Sequence, residues 1–288
     1  MDFVLLPGAT LRYDVVDVFT NRAFSGNPLA VVHGADSLDD RQLQAVAAEF
    51  ALSETAFPLP STEADYRLRI FTPAAELPFA GQPSIGAAWV LGEAGVLPLG
   101  PVVQETAAGL HGVVIGADVV VLAGDRPTVG ARLDAGPLAT ALGLEESDVD
   151  TSVAAGVAGA GADYTFLPVH PDAVARATPD PAWIAAHAIG RGLVPVSFDG
   201  RVAHVRMFRA NGYEDAATGA AALALGPWLV DRGFLPDGGD YDVHQGAEVG
   251  RPSTLVCVVT AVDGRAQEVG VGGQVVPVAT GTIRVPQR

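Results

Sequence analysis

The chain has 288 residues, 49% hydrophobic and 17% charged, with a formal net charge of −16; this allows two domains with sizeable cores and argues against disorder. No basic cluster offsets the negative charge, so a nucleic-acid backbone or an anionic membrane surface would be repelled. All 17 basic residues are arginine, and a chain without lysine has no Schiff-base nucleophile and no P-loop, which excludes pyridoxal-phosphate enzymes and amine-type aldolases.

Met1-Asp2-Phe3-Val4-Leu5-Leu6-Pro7 lacks the basic region and the apolar length of a secretory leader. No uncharged apolar stretch approaches the length that spans a bilayer, so a cytoplasmic protein is expected. Asn27-Pro28, within Ser25-Gly26-Asn27-Pro28-Leu29, reads as a turn feeding a strand. An amphipathic helix is predicted from Leu38 to Ala51, because Leu43, Val46, Ala47 and Phe50 fall at i, i+3, i+4 and i+7 and Ser37 is placed to cap its start. Strands are predicted at 67–71, 118–122, 203–207, 243–244, 255–259, 269–271 and 282–284, while the Gly/Ala-rich run 156–161 reads as a loop. The segments 83–91 and 216–230 carry no charge at all, and a helix apolar on every side must be buried. Sheets wrapped around a central helix are the expected architecture.

The two halves resemble each other. Val32-His33 recurs as Val169-His170 (170 − 33 = 137), and Leu68-Arg69-Ile70-Phe71 recurs as Val205-Arg206-Met207-Phe208 (208 − 71 = 137). Gln82-Pro83-Ser84-Ile85-Gly86 is paired with Asp215-Ala216-Ala217-Thr218-Gly219 at an offset of 133. An internal duplication follows from their common order, with a boundary near the Gly/Arg/Asp-rich stretch 124–134.

Three segments are candidates for chemistry. Gly81-Gln82-Pro83-Ser84 has a glycine followed by a proline near a helix start, where free backbone N–H groups and the helix dipole suit an anion. Asp215-Ala216-Ala217-Thr218-Gly219 offers a second such start, with Asp215 as the expected N-cap. Two such starts could face each other and hold a small carboxylate; read locally, they could equally be ordinary capped core helices. Glu54, in Leu52-Ser53-Glu54-Thr55-Ala56-Phe57, lies where a helix ends and an apolar strand begins. A carboxyl among apolar neighbours resists ionisation and suits a group that gives and takes protons, although a solvated loop glutamate fits the same local pattern. No His/Cys/Asp/Glu cluster has metal-ligand spacing, and no dinucleotide fingerprint or hydrolase elbow is present. Cys257 is the lone cysteine and reads as a buried strand residue.

Together these segments resemble the phenazine-biosynthesis PhzF-like family. The matching stretches are Asp17-Val18-Phe19, Gly26-Asn27-Pro28-Leu29-Ala30-Val31, Leu52-Ser53-Glu54-Thr55-Ala56-Phe57, Glu76 through Ala88, Glu214-Asp215-Ala216-Ala217-Thr218-Gly219, Gln245-Gly246 and Val271-Gly272-Gly273. The resemblance implies an α+β fold of the diaminopimelate epimerase type: two pseudo-symmetric domains, each an antiparallel sheet curled around a central buried helix. Residues 1–127, completed by the terminal strand 278–288, would form one domain, with Glu54 and Gln82. Residues 128–277, with Asp215, would form the other. It further implies a homodimer, no cofactor and no metal, and a small-molecule carboxylate substrate in the interdomain cleft. Glu54 would be the acid/base with Asp215 as its catalytic partner, and Asn27, Ser53, Gly81, Gln82, Pro83, Ser84, Thr218, Gly219 and Ala220 would bind the substrate.

The sequence departs from the family pattern where Gly-His-Pro has become Gly81-Gln82-Pro83, and where the serine of Glu-Asp-Pro-Ala-Thr-Gly-Ser has become Ala220. Glutamine hydrogen-bonds but does not titrate, and alanine does neither. One cysteine cannot supply the two thiols of the wider fold's epimerase reaction. The resemblance leaves three readings. These are an isomerase moving a proton on an unsaturated cyclic carboxylate in a specialised biosynthetic pathway, a carbon–carbon bond hydrolase using Glu54, and a non-catalytic small-molecule binding protein.

Overall fold

The computed structural model describes residues 9–187, 190–209 and 211–287; the segment Met1–Pro7, read above as lacking the features of a leader, lies outside them. The first part of the chain runs β1 (Thr10–Val18), β2 (Asn27–Val32), α1 (Asp40–Phe50), β3 (Glu54–Leu59), β4 (Tyr66–Phe71), β5 (Glu76–Leu77), α2 (Gly81–Glu93), β6 (Gly100–Thr106), β7 (Gly109–Ile115) and β8 (Val120–Ala123). It continues with β9 (Pro127–Arg132), α3 (Ala135–Ala141), β10 (Gly156–Ala160), β11 (Asp163–Pro168), α4 (Pro171–Arg176), α5 (Pro181–His187), β12 (Gly192–Phe198), β13 (Val202–Val205), β14 (Met207–Arg209) and β15 (Glu214–Asp215). The last elements are α6 (Gly219–Asp231), β16 (Gly238–Gln245), β17 (Ser253–Val262), β18 (Arg265–Gly273) and β19 (Val275–Arg284). The fold is α+β.

The strands pair in two series with one order of senses. Along β19-β1-β2-β3-β4-β6-β7-β8 the pairings are antiparallel, antiparallel, parallel, antiparallel, parallel, antiparallel and antiparallel. Along β9-β10-β11-β12-β13-β16-β17-β18 the same senses recur in the same order. Antiparallel pairing of β8 with β18 joins the two series. The first series encloses α2, which packs on β1, β2, β3, β7 and β8; the second encloses α6, which packs on β9, β10, β11, β17 and β18. Ile85, Ala87 and Ala88 of α2, and Leu223, Leu225, Trp228 and Leu229 of α6, are all buried. Burial of these uncharged faces, at about 25 cal/mol per Å² of apolar surface, supplies the driving force that fixes the sheets around the helices.

A side-chain device also recurs. Arg69 makes a two-pronged hydrogen bond to Glu76 at 2.7 and 2.7 Å and lies over the Phe71 ring. Arg206 does the same to Glu214 at 2.8 and 2.6 Å and lies over Phe208. In each case the pair ties the strand preceding the buried helix to its short hairpin partner, β4 to β5 and β14 to β15.

Three details differ from the sequence reading. The cap of α1 is Asp39, not Ser37: Asp39 Oδ1 accepts from the Gln42 N–H at 3.0 Å, and Gln42 Oε1 accepts from the Asp39 N–H at 3.1 Å. This reciprocal box satisfies two N–H groups at once, which a serine two positions earlier cannot do. The run 156–161 is largely strand, because β10 lies directly against α6 and needs small residues there; a β-carbon on Gly156 would come within 2.5 Å of the Arg232 guanidinium. The internal repeat is offset differently around the buried helices, which start at Gly81 and Gly219 (219 − 81 = 138) rather than 133 apart. Gln82 therefore corresponds to Ala220, and Asp215 to Leu77. Alanine-rich runs slide past one another without changing the match, so sequence alone could not fix that register.

Candidate active site

The starts of α2 and α6 meet. A β-carbon on Gly219 would lie 3.7 Å from the Gly81 Cα, so the two helix starts are in contact, and 3.3 Å from the Phe19 ring, a tight fit on that side alone. Neither N-cap residue, Ala80 or Thr218, caps its helix with a side chain. The backbone N–H groups of Gly81, Gln82, Gly219 and Ala220 therefore have no intrahelical acceptor, and two positive helix ends converge on one point.

Asp215 is not the cap of α6. It ends β15, where it pairs with Met207, and it ties several elements together. Its Oδ1 accepts from Asn27 Nδ2 at 3.0 Å, and its Oδ2 accepts from Thr218 Oγ1 at 3.1 Å and from Arg209 Nη2 at 2.9 Å. Asn27 Nδ2 also donates to the Ala217 carbonyl at 2.9 Å. Gln245 braces the turn from behind, accepting from the Thr218 N–H at 3.1 Å and donating to the Asp215 carbonyl at 2.7 Å.

Glu54 is the first residue of β3. Left-handed Ala51 (φ 52°) ends α1 and turns the chain so that Glu54 points inward. It is 4% exposed, and its Oε1 lies 3.6 Å from Arg209 Nη2. Burial, and then the nearby Asp215 charge, push its pKa from 4.5 up to about 7; the Arg209 charge and hydrogen bond work against that shift without cancelling it. Burial disfavours the Arg209 guanidinium too, but the two carboxylates beside it hold it charged.

Glu54, Gly81, Gln82, Pro83, Asp215, Thr218, Gly219 and Ala220 line one cavity of about 350 Å³. Three other predicted residues do not. Asn27 lies behind Asp215 and positions it. Ser53 is at the exterior, its Oγ 3.3 Å from the Tyr213 hydroxyl. Ser84 is turned into the protein, its Oγ donating to the Ala80 carbonyl at 2.8 Å and accepting from Gln104 at 2.8 Å. Gln82 donates from Nε2 to the Asn27 carbonyl at 3.0 Å, while its buried Oε1 has no partner.

A wider cleft of about 830 Å³, lined by residues such as Arg22, His204, His244 and Gln274, contains neither Glu54 nor Asp215. Its size does not make it the reactive site. Among the described residues no group of three or more His, Cys, Asp and Glu is placed to hold a metal ion. Cys257 is buried in β17, and burial drives its thiol pKa up, so it is no nucleophile. Sequence reasoning missed Arg209, Arg191 and Tyr164, which also line the cavity. Arg209 lies six residues before Asp215 on the neighbouring strand of a hairpin, a proximity that pairing β14 with β15 would have revealed.

The model of the phenazine biosynthesis-like (PhzC–PhzF) family matches residues 16–281. An uncharacterized isomerase of Pasteurella multocida is 34% identical over 95% of this chain and 94% of its own. The trans-2,3-dihydro-3-hydroxyanthranilate isomerase of Pseudomonas aeruginosa is 33% identical over 91% of this chain and 95% of its own. The crystal structure of a Bacillus anthracis PhzF-family protein superposes with a TM-score of 0.86 at 25% identity, covering 96% of this chain and 99% of that one. A hydroxyproline epimerase from Agrobacterium vitis shares the fold alone, with a TM-score of 0.65 at 16% identity over 96% of this chain and 93% of that one. With a family model covering most of its length and these two relatives named as isomerases, the chain belongs to the phenazine biosynthesis-like family and is an isomerase.

Proposed function

We propose that the enzyme moves a proton between carbons of a small unsaturated cyclic carboxylate in a specialised biosynthetic pathway, with Glu54 as general acid/base and no cofactor. The observation that carries this reading is a buried carboxyl with a pKa of about 7, set in the wall of a cavity where two uncapped helix starts converge. The substrate carboxylate lies at the N–H groups of Gly81, Gln82, Gly219 and Ala220, which compensate its charge. Glu54, half ionised near neutrality, takes a proton from one carbon and returns it to another on the same face. Asp215 stays near the reacting atoms, held by Asn27, Thr218 and Arg209, and its negative charge helps keep the proton on Glu54. Gln82, where the family pattern has histidine, offers its backbone N–H to the substrate carboxylate, and its amide cannot share the proton.

The repeated pairing order and the repeated Arg–Glu–Phe device support two pseudo-symmetric domains, 1–127 closed by 278–288 and 128–277, with the site at their junction. A homodimer is supported by an outward sheet face without charge. Pro101, Val114, Val121, Gly272 and Val256 form one row across β6, β7, β8, β18 and β17. Val103, Gly112, Ala123, Gly270 and Val258 form the next. These two uncharged rows on five strands span roughly 20 Å by 10 Å, and the row beyond them carries Glu105 and Glu268. In a chain of net charge −16, such an uncharged face is where a second copy can approach without repulsion. Sedimentation is expected to give twice 29.5 kDa, and Val258→Glu is expected to give monomers. A monomeric wild type would contradict the dimer.

Incubation in heavy water with candidate carboxylates, including a dihydro-hydroxyanthranilate and an alkylidene pyrroline carboxylate, tests the chemistry. Deuterium is expected at carbon, and its position identifies the shift. Tight binding of a candidate without any exchange would sink the isomerase mechanism.

A further inference from the structure

One wall of the cavity carries two arginines, Arg191 and Arg209, of which only Arg209 is paired with the carboxyls of the site. In the parallel pairing of β11 with β12, Thr165 is opposite Leu193, and in the antiparallel pairing of β12 with β14, Gly192 is opposite Arg209. Tyr164, Gly192 and Arg209 therefore share one cross-strand row, and both side chains line the cavity. Gly192 leaves the row open between them; a β-carbon there would come within 2.7 Å of the Phe208 carbonyl and 2.9 Å of the Met207 sulfur. Arg191 precedes it at the mouth of the same cavity.

These groups differ in how they are satisfied. Arg209 is committed to Asp215 and Glu54. Among the described residues neither the Arg191 guanidinium nor the Tyr164 hydroxyl, on a residue 3% exposed, makes a hydrogen bond or ion pair. Burial raises the Tyr164 pKa to about 12 even with the Arg191 charge pulling it down, so the hydroxyl remains a donor at neutral pH. Asp125 also lines the cavity but makes no ion pair with either arginine. Beyond the four backbone N–H groups, and alongside Asp125, the cavity therefore presents an arginine at its mouth and a phenolic O–H that have no bonded partner among the described residues.

We propose that the substrate carries a second acidic group, and that Arg191 and the Tyr164 hydroxyl bind it while its first carboxylate sits on the helix starts. This assignment rests on the carboxylate placement proposed above and narrows the substrate class to dicarboxylates, or carboxylates with another acidic substituent. A free guanidinium and a hydroxyl suit a carboxylate well, since charge-assisted hydrogen bonds are the strong ones. Arg191 acts on specificity, since Arg209 already occupies the position beside Glu54.

The test is calorimetric binding of four rigid probes, benzoate, phthalate, isophthalate and terephthalate, to the intact protein and to Arg191→Gln and Tyr164→Phe. At least one dicarboxylate is expected to bind wild type about tenfold or more tighter than benzoate, the scale of one charge-assisted hydrogen bond. Arg191→Gln is expected to erase that gain with benzoate affinity changed less than about twofold, and Tyr164→Phe to erase part of it. Added salt should shrink the gain, because Arg191 is at the mouth. Dicarboxylates no better than benzoate, a gain that survives Arg191→Gln, or no binding by any of the four would overturn the proposal. Failure of the proton-transfer reading shows separately, as absent deuterium exchange with the dicarboxylate gain intact.

Discussion

Glu54→Gln is expected to lower the rate of deuterium exchange at substrate carbon by at least about 10²- to 10⁴-fold, the range that a positioned general acid/base supplies. The amide has the size and shape of the carboxyl it replaces, so β3, the α1 exit and the Arg209–Asp215 pair keep their places. Substrate binding should survive, since the N–H groups at Gly81, Gln82, Gly219 and Ala220 do not depend on Glu54. The expected signature is thus a loss in kcat with little change in binding, the mark of an interaction made only in the transition state. A variant that retains most of the wild-type exchange rate would remove Glu54 from the mechanism and move attention to Asp215, the other buried carboxyl of the cavity.

The same substitution should stabilise the protein, and the gain should depend on pH. Glu54 has a pKa of about 7 in the fold against 4.5 for an ordinary glutamate, so the folded state binds its proton more tightly than the unfolded state does. The stability this provides is complete below about pH 4.5, declines as pH rises, and is gone above about pH 7. The difference corresponds to about 3 kcal/mol for a fully buried group. Glutamine carries no such term. The stability of Glu54→Gln relative to wild type should therefore increase by about 3 kcal/mol between pH 4 and pH 8, read from denaturant unfolding at each pH. A difference that stays flat over that interval would show that Glu54 ionises normally. The cost is one the enzyme bears for function: an acid/base of the right pKa is a carboxyl the fold would rather keep protonated.

Much of this arrangement is visible in the residues themselves. The uncharged runs announce two buried helices, Gly81 and Pro83 mark the start of one, and the apolar surroundings of Glu54 point to a raised pKa. What the sequence hides depends on contacts between distant segments. Asn27 and Asp215 are 188 positions apart and meet through one hydrogen bond, so the sequence suggests a helix cap for Asp215 where the structure makes it a tether. Ser84 looks exposed to the cleft next to Gln82 and Pro83, yet it sits one turn into α2 and bonds inward. Arg209, Arg191 and Tyr164 carry no local signal, since an arginine or tyrosine on or just before a short strand is ordinary until β11, β12 and β14 are aligned. The offset of the repeat failed at the helix starts for a related reason: alanine and glycine recur on both sides of each start and make one register look like another.

The most direct measurement is a carbon-13 NMR titration of the glutamate side-chain carboxyls in the protein without substrate, with Glu54→Gln used to assign the Glu54 signal. The account predicts that one carboxyl, absent from the variant, titrates near pH 7 while ordinary glutamates titrate near 4.5. A Glu54 signal that titrates with the ordinary group would contradict the central claim, because a carboxylate ionised throughout the neutral range cannot carry the proton that the reaction moves.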